Sequence, residues 1–120
     1  MMERRLTSSD RRGTPRTPAV FAVKKSLAGA VQLCQAEDIA PGGMTIRRPR
    51  GTSVKPSTEV ALSFALPGSG EEIATRGVVV NDSVAGGFRR TGVRFLALRP
   101  EHARLIAGYC RQAPRSRRGG

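Results

Sequence analysis

The chain has 120 residues, room for one domain with a single modest core. Its formal charge of +12 favours an anionic partner, whether nucleic acid, nucleotide or membrane surface, without choosing among them. Cys34 and Cys110 are too few for a disulfide framework and lack a metal-ligand spacing, which leaves them as buried thiols.

Residues 1–10 are polar and charged, with too little apolar content to fold alone, and read as a flexible tail. The basic arm 11–18 follows, with Arg11-Arg12-Gly13-Thr14-Pro15-Arg16 at its centre. Gly13 and Pro15 argue against a helix, so the arm is expected to stay irregular until something orders it. Arginine is a planar fork of donors that pairs with phosphate or with the O6/N7 edge of guanine. Arg12 and Arg16 therefore suit a small anionic ligand bearing guanine, although Arg-x-x-x-Arg recurs at Arg90/Arg94 and Arg111/Arg115, and a solvated basic tail satisfies the same pattern.

Pro18 opens a strand over Ala19 to Lys24, and a second strand begins at Gly29, with Val31 and Leu33 on one face and Gln32 and Cys34 on the other. The two form a hairpin. A turn is expected at Asp38-Ile39-Ala40-Pro41-Gly42-Gly43, where Asp38 could stabilise its own turn or meet a ligand. Met44-Thr45-Ile46 starts the third strand, and Arg47 to Ser57, polar with two prolines, reads as loop. Val60, Leu62, Phe64 and Leu66 give the clearest alternation in the chain. Another strand runs from Ile73 to Val80, a turn from Asn81 to Gly87, and a last strand from Gly92 to Leu96. Short strands joined by tight turns argue for antiparallel all-β structure closed into a barrel. One helix comes last: Pro100 suits its first turn, Glu101 the positive end of its dipole, and Leu105, Ile106 and Tyr109 share one face that should cover a barrel end. Residues 113–120 carry Arg115, Arg117 and Arg118 without an acid and read as a disordered basic tail.

The aromatic residues Phe21, Phe64, Phe88, Phe95 and Tyr109 fit core positions better than a base-stacking platform, which counts against single-stranded nucleic-acid recognition. His102 reads as an exposed histidine at a helix start. One histidine, no paired acids at a recognisable spacing and no phosphate-binding glycine loop leave no nucleophile with a base, so the chain reads as a non-enzyme without cofactor or metal. With no apolar run of membrane-spanning length and no secretory signal core, it is expected to be soluble and cytoplasmic.

Arg11-Arg12-x-x-x-Arg16, then Asp38-x-Ala40-x-x-Gly43, then Gly92-Val93-Arg94-Phe95 running into a Pro-Glu helix resembles the PilZ domain over roughly residues 10 to 112. The resemblance implies a six-stranded antiparallel β-barrel with a C-terminal α-helix spanning 11–112, and a bacterial receptor for cyclic di-GMP that couples binding to an unidentified protein partner in motility or biofilm control. It implies that Arg12 and Arg16 grip the phosphates and a guanine edge, and that Arg11 accompanies binding of two stacked ligand molecules. Asp38 would accept from the guanine N1/N2 edge, and Gly43 would leave space beside the base. Ala40 departs from the usual Ser. One hydrogen bond of roughly 0.5 to 1.5 kcal/mol is then missing, lowering affinity by up to about tenfold. Position 40 is expected in a turn exposed enough to admit a hydroxyl. The alternatives are a PilZ-like interaction module without useful nucleotide affinity and, on charge alone, a basic nucleic-acid binder.

Overall fold

The computed structural model describes residues 16–49, 51 and 53–112. The two tails and arm residues 11–15 lie outside them. In chain order the elements are β1 (Thr17–Pro18), β2 (Ala22–Leu27), β3 (Ala30–Ala40), β4 (Gly43–Pro49), β5 (Glu59–Ala65), β6 (Glu72–Ala85), β7 (Phe88–Phe95) and α1 (Pro100–Gln112). Every pairing is antiparallel. The sheet runs β3-β2-β5-β6-β7-β4, and β4 pairs back onto β3, so six strands close a barrel, with β1 as a short extra strand beside β3. Among the described residues, closure leaves no long row of unpaired backbone groups.

Each strand turns alternate residues inward. Val23, Ala36, Ile46, Leu62, Phe64, Ile73, Val79 and Val93 are buried, joined by Ile106 from α1. Each large apolar side chain so buried contributes on the order of 1.5 to 3 kcal/mol. Phe64 lies between Phe21 and Phe95, with ring centroids 5.6 and 6.4 Å away, and Tyr109 meets Phe21 edge-on at 6.5 Å. The Cys110 thiol donates to the Ile39 carbonyl at 3.7 Å. The helix therefore does cover one end of the barrel, and the aromatic rings fill the space beneath it.

The opposite end is polar. The Asp82 side chain, 2% exposed, accepts from the Val54 backbone N–H at 3.0 Å, Arg48 at 3.1 Å, Arg89 at 3.1 Å and the Thr91 hydroxyl at 2.5 Å. Lys25, also buried, faces the same space, where burial and the Arg48 charge push its ammonium below its ordinary value. This plug overturns the expected loop from Arg47 onward, because β4 continues to Pro49 in order to carry Arg48 inward. It likewise extends β6 through residues 81–85, expected as turn, since Asp82 must stand opposite Thr91.

The hairpin face turned to the core carries Cys34, a buried thiol as expected, while the face of Val31 and Leu33 is open to solvent, at 67% and 65% exposure. Its two-residue turn places Ala28 and Gly29 at φ of 52° and 83°, the left-handed pair that matches strand twist. Phe88 is only half-buried, because it sits at the tip of the β6–β7 hairpin with Arg47 over its ring at 4.2 Å. His102 is buried, not exposed, with its Nε2 3.5 Å from Glu71 Oε2 and its Nδ1 without a partner among the described residues.

The Asp82 cluster sets an acid limit on stability. Burial raises the Asp82 carboxyl, but the Thr91, Val54, Arg48 and Arg89 hydrogen bonds outweigh it and hold it at about 2, against an ordinary 3.8. Because the folded value is the lower one, its contribution is complete above the ordinary value and is lost as pH falls through about 2. Asp82→Asn should cost about 3 kcal/mol at pH 7 in urea unfolding, by stranding Arg48 and Arg89. The gap to wild type should narrow between about pH 4 and pH 2; a pH-independent gap would show that the carboxylate charge is not what holds the plug.

Candidate functional site: paired carboxylates on the outer barrel face

Ala36 stands opposite Ile46 on β4, yet Asp38, two residues on, stands opposite Thr45, one residue back. Glu37 is thus the extra residue of a β-bulge. In a regular strand neighbouring side chains point to opposite faces. Here Ala36 and Ile39 are both buried in the core, and Glu37 and Asp38 between them both reach the outer surface. Two carboxylates stand side by side where alternation would have sent one of them inside.

Each is held by one arginine. Arg16, leading into β1, donates through Nη1 to Asp38 Oδ1 at 2.7 Å. Arg90, on β7, grips Glu37 with two bonds, Nε to Oε1 at 2.6 Å and Nη2 to Oε2 at 2.9 Å. These bonds hold the Glu37 carboxyl below the usual carboxylate range, with a smaller contribution from the Arg47 charge. The sheet fixes the spacing, since Asp38 on β3, Thr45 on β4 and Gly92 on β7 form one row across three strands. The Arg16–Asp38 pair is open to solvent, at 50% and 24% side-chain exposure.

Chemically this surface offers a planar donor fork beside an acceptor pair. An arginine fork matches phosphate or the guanine O6/N7 edge, and a carboxylate matches two adjacent N–H donors. The structure brings Arg16 and Asp38 into direct contact across 22 residues of sequence. Arg11 and Arg12 lie outside the described residues. Ala40 and Gly43 flank the Pro41–Gly42 turn as a cross-strand pair. The expected turn from Asp38 is therefore shorter, and Asp38 is a strand residue rather than a residue capping its own turn. Ala40 is only 6% exposed, which corrects the expectation that this position lies open to a hydroxyl. A Cβ on Gly43 would stand 2.3 Å from the Val93 carbonyl oxygen, so close approach of β7 by itself requires glycine here. Glu37 and Arg90 were not anticipated. Adjacent acids in a strand carry no sign of a bulge, and Arg90 is 53 residues away from its partner.

Among the described residues no group of His, Cys, Asp and Glu is arranged to hold a metal ion, and no helix is long and apolar enough to cross a membrane.

Residues 10–112 match the PilZ domain family, and the chain belongs to it. No curated protein sequence matches the chain. Among solved structures it is similar to the Bacillus subtilis inhibitor of motility MotI/DgrA, with TM-score 0.79 and 22% identity over 91% of this chain and 55% of that one. It is also similar to the PilZ domain of Escherichia coli YcgR with c-di-GMP, at TM-score 0.69 and 17% identity over 84% of this chain and 89% of that one. The K. pneumonia MrkH–c-di-GMP complex gives TM-score 0.69 and 18% identity over 83% of this chain and 51% of that one. The chain thus spans about half the length of MotI/DgrA and MrkH.

Gly43→Ala tests the backbone constraint. The atom it would strike is a carbonyl oxygen in the sheet rather than the end of a flexible side chain, so relief requires β4 and β7 to separate. A loss of about 1 to 3 kcal/mol in urea unfolding is expected. A variant as stable as wild type would mean the strands part freely at this row.

Proposed function

We propose that this chain is a cyclic di-GMP receptor that passes the binding event to a protein partner. The observation that carries the reading is the Arg16–Asp38 contact on the outer face of a PilZ barrel, because it sets an arginine fork, whose shape matches a phosphate, beside a carboxylate, whose shape matches the guanine N1/N2 edge. The c-di-GMP named with YcgR and MrkH supports the same ligand class, and the motility inhibitor among the similar structures supports motility as the process. On this reading Asp38 accepts from the guanine N1/N2 edge, and Arg16 leaves Asp38 to take a phosphate or the guanine O6/N7 edge. Arg12 joins it from the arm, and Arg11 serves a second stacked ligand molecule; both roles rest on the family pattern. Ala40, where the pattern usually has Ser, supports the second reading, an interaction module without useful nucleotide affinity.

Titration calorimetry with cyclic di-GMP at near-physiological salt separates the two. Saturable binding is expected, and silence at high micromolar ligand would favour the interaction module. Arg16→Ala should weaken binding at least about tenfold, through loss of a charge-assisted contact worth about 1.5 to 3 kcal/mol. Stability should change by under about 1 kcal/mol, since the Asp38 pair it breaks is solvent-exposed. If the variant instead melts far earlier than wild type, Arg16 is part of the fold and its place in the site is wrong.

A further inference from the structure

Glu37 stands beside Asp38 on the outer face but has no part in the contacts proposed for the ligand. A cyclic dinucleotide brings two phosphate charges to this surface, and an exposed carboxylate next to Asp38 repels them. Glu37 is there because the bulge turns it outward, and it is masked by the bidentate grip of Arg90. Arg90 is close enough for the Asp38 charge to act on it as well as that of Glu37. Its side chain is 46% exposed, so solvent and solutes reach the guanidinium. Arg47, which stands opposite Arg90 on β4, is committed to the ring of Phe88 at 4.2 Å. Two arginines, Arg16 and Arg90, therefore flank the two carboxylates from opposite sides, and both are occupied by an intramolecular anion.

We propose that Glu37 is a built-in competitor of the ligand: it occupies Arg90, a further phosphate-binding arginine of the site, so that a ligand phosphate must displace a carboxylate to reach it. The proposal rests on the receptor reading and deepens it. Competition follows from chemistry alone, because carboxylate and phosphate present the same paired oxygens to a guanidinium fork, and only one of them can hold both Nε and Nη2. Glu37 sets the threshold. With Glu37 in place the pair is self-neutralised and the ligand gains the difference between two anions; without it, the ligand gains a free cation and loses a repelling charge. The bulge is what makes this arrangement available, since a regular strand would turn Glu37 away from the face that carries Asp38.

The test is a double-mutant cycle read by titration calorimetry with cyclic di-GMP. Glu37→Gln keeps the size of the side chain and removes its charge, and should tighten binding by about two- to fivefold at near-physiological salt. Arg90→Ala should weaken binding, and it should weaken it more in the Glu37→Gln background than in wild type, because only there is the guanidinium free to hold a phosphate without displacing a carboxylate. Glu37→Ala, with thermal melting of every variant, guards against a bulge disturbed by the amide and should show the same gain. Unchanged or weaker binding in both folded Glu37 variants overturns the competitor, as does a loss on Arg90→Ala that is no larger without Glu37 than with it. Failure of the underlying reading looks different: wild type that gives no saturable binding removes the receptor function and this inference with it.

Discussion

The bulge at Glu37 is the constraint on which the site depends. β3 is eleven residues long and serves three partners, β2 along Ala30–Gln35, β4 along Gln35–Ala40 and β1 at Asp38 and Ile39. A strand that joins one side of a barrel to the other must bend, and an extra residue supplies bend and twist together. The same extra residue resets alternation, so that Ile39 remains in the core while Glu37 and Asp38 share the outside. Closure of the barrel and presentation of the carboxylates are thus one local event.

The two ends of the barrel are sealed by opposite chemistry. At the α1 end the seal is apolar, made by Ile106 and the stacked rings of Phe21, Phe64 and Phe95. At the other end one carboxylate, Asp82, organises Arg48, Arg89, Thr91 and the Val54 backbone. A second register shift, between Val79 and Asn81, is what turns Asp82 inward to do this. Both bulges have the same effect on opposite faces: one carries carboxylates out to solvent and the other carries a carboxylate into the core.

That pairing of bulges marks the boundary of what the residues disclosed in advance. The closed antiparallel barrel and its final helix were legible, because Val60 to Leu66 alternate cleanly and Leu105, Ile106 and Tyr109 repeat at helical spacing. Arg16 and Asp38 were legible as site candidates through the family pattern, not through spacing alone. The interior of the polar end was not legible. Lys25, Arg48 and Asp82 are charged types that ordinarily face water, and only a three-dimensional count of partners makes their burial tolerable. Polarity therefore pointed to loop at 47–57 and to turn at 81–87, where the chain continues as strand to Pro49 and through residues 81–85. His102 and Phe88 erred in opposite directions for a related reason, since burial at an element's end depends on what packs across it.

Arginine–carboxylate pairs occur in both regions, and burial decides what each can do. The Arg48–Asp82 pair has side-chain exposures of 3% and 2%; breaking it leaves an ion in a low-dielectric space, at a cost of about 3 to 5 kcal/mol. The Arg16–Asp38 pair is half in water, and pairs so exposed are worth about 0 to 1 kcal/mol. It can be exchanged for a ligand pair without disturbing the barrel. The Arg90–Glu37 pair, at 46% and 28%, belongs with the exchangeable class, although its bidentate geometry makes it the firmer of the two. Exchange at an outer face supported by a fixed interior allows a ligand to rearrange charges on the surface while the strands beneath keep their register. Under the proposed function, what such an exchange would offer a partner is rearranged arginines rather than a change of fold.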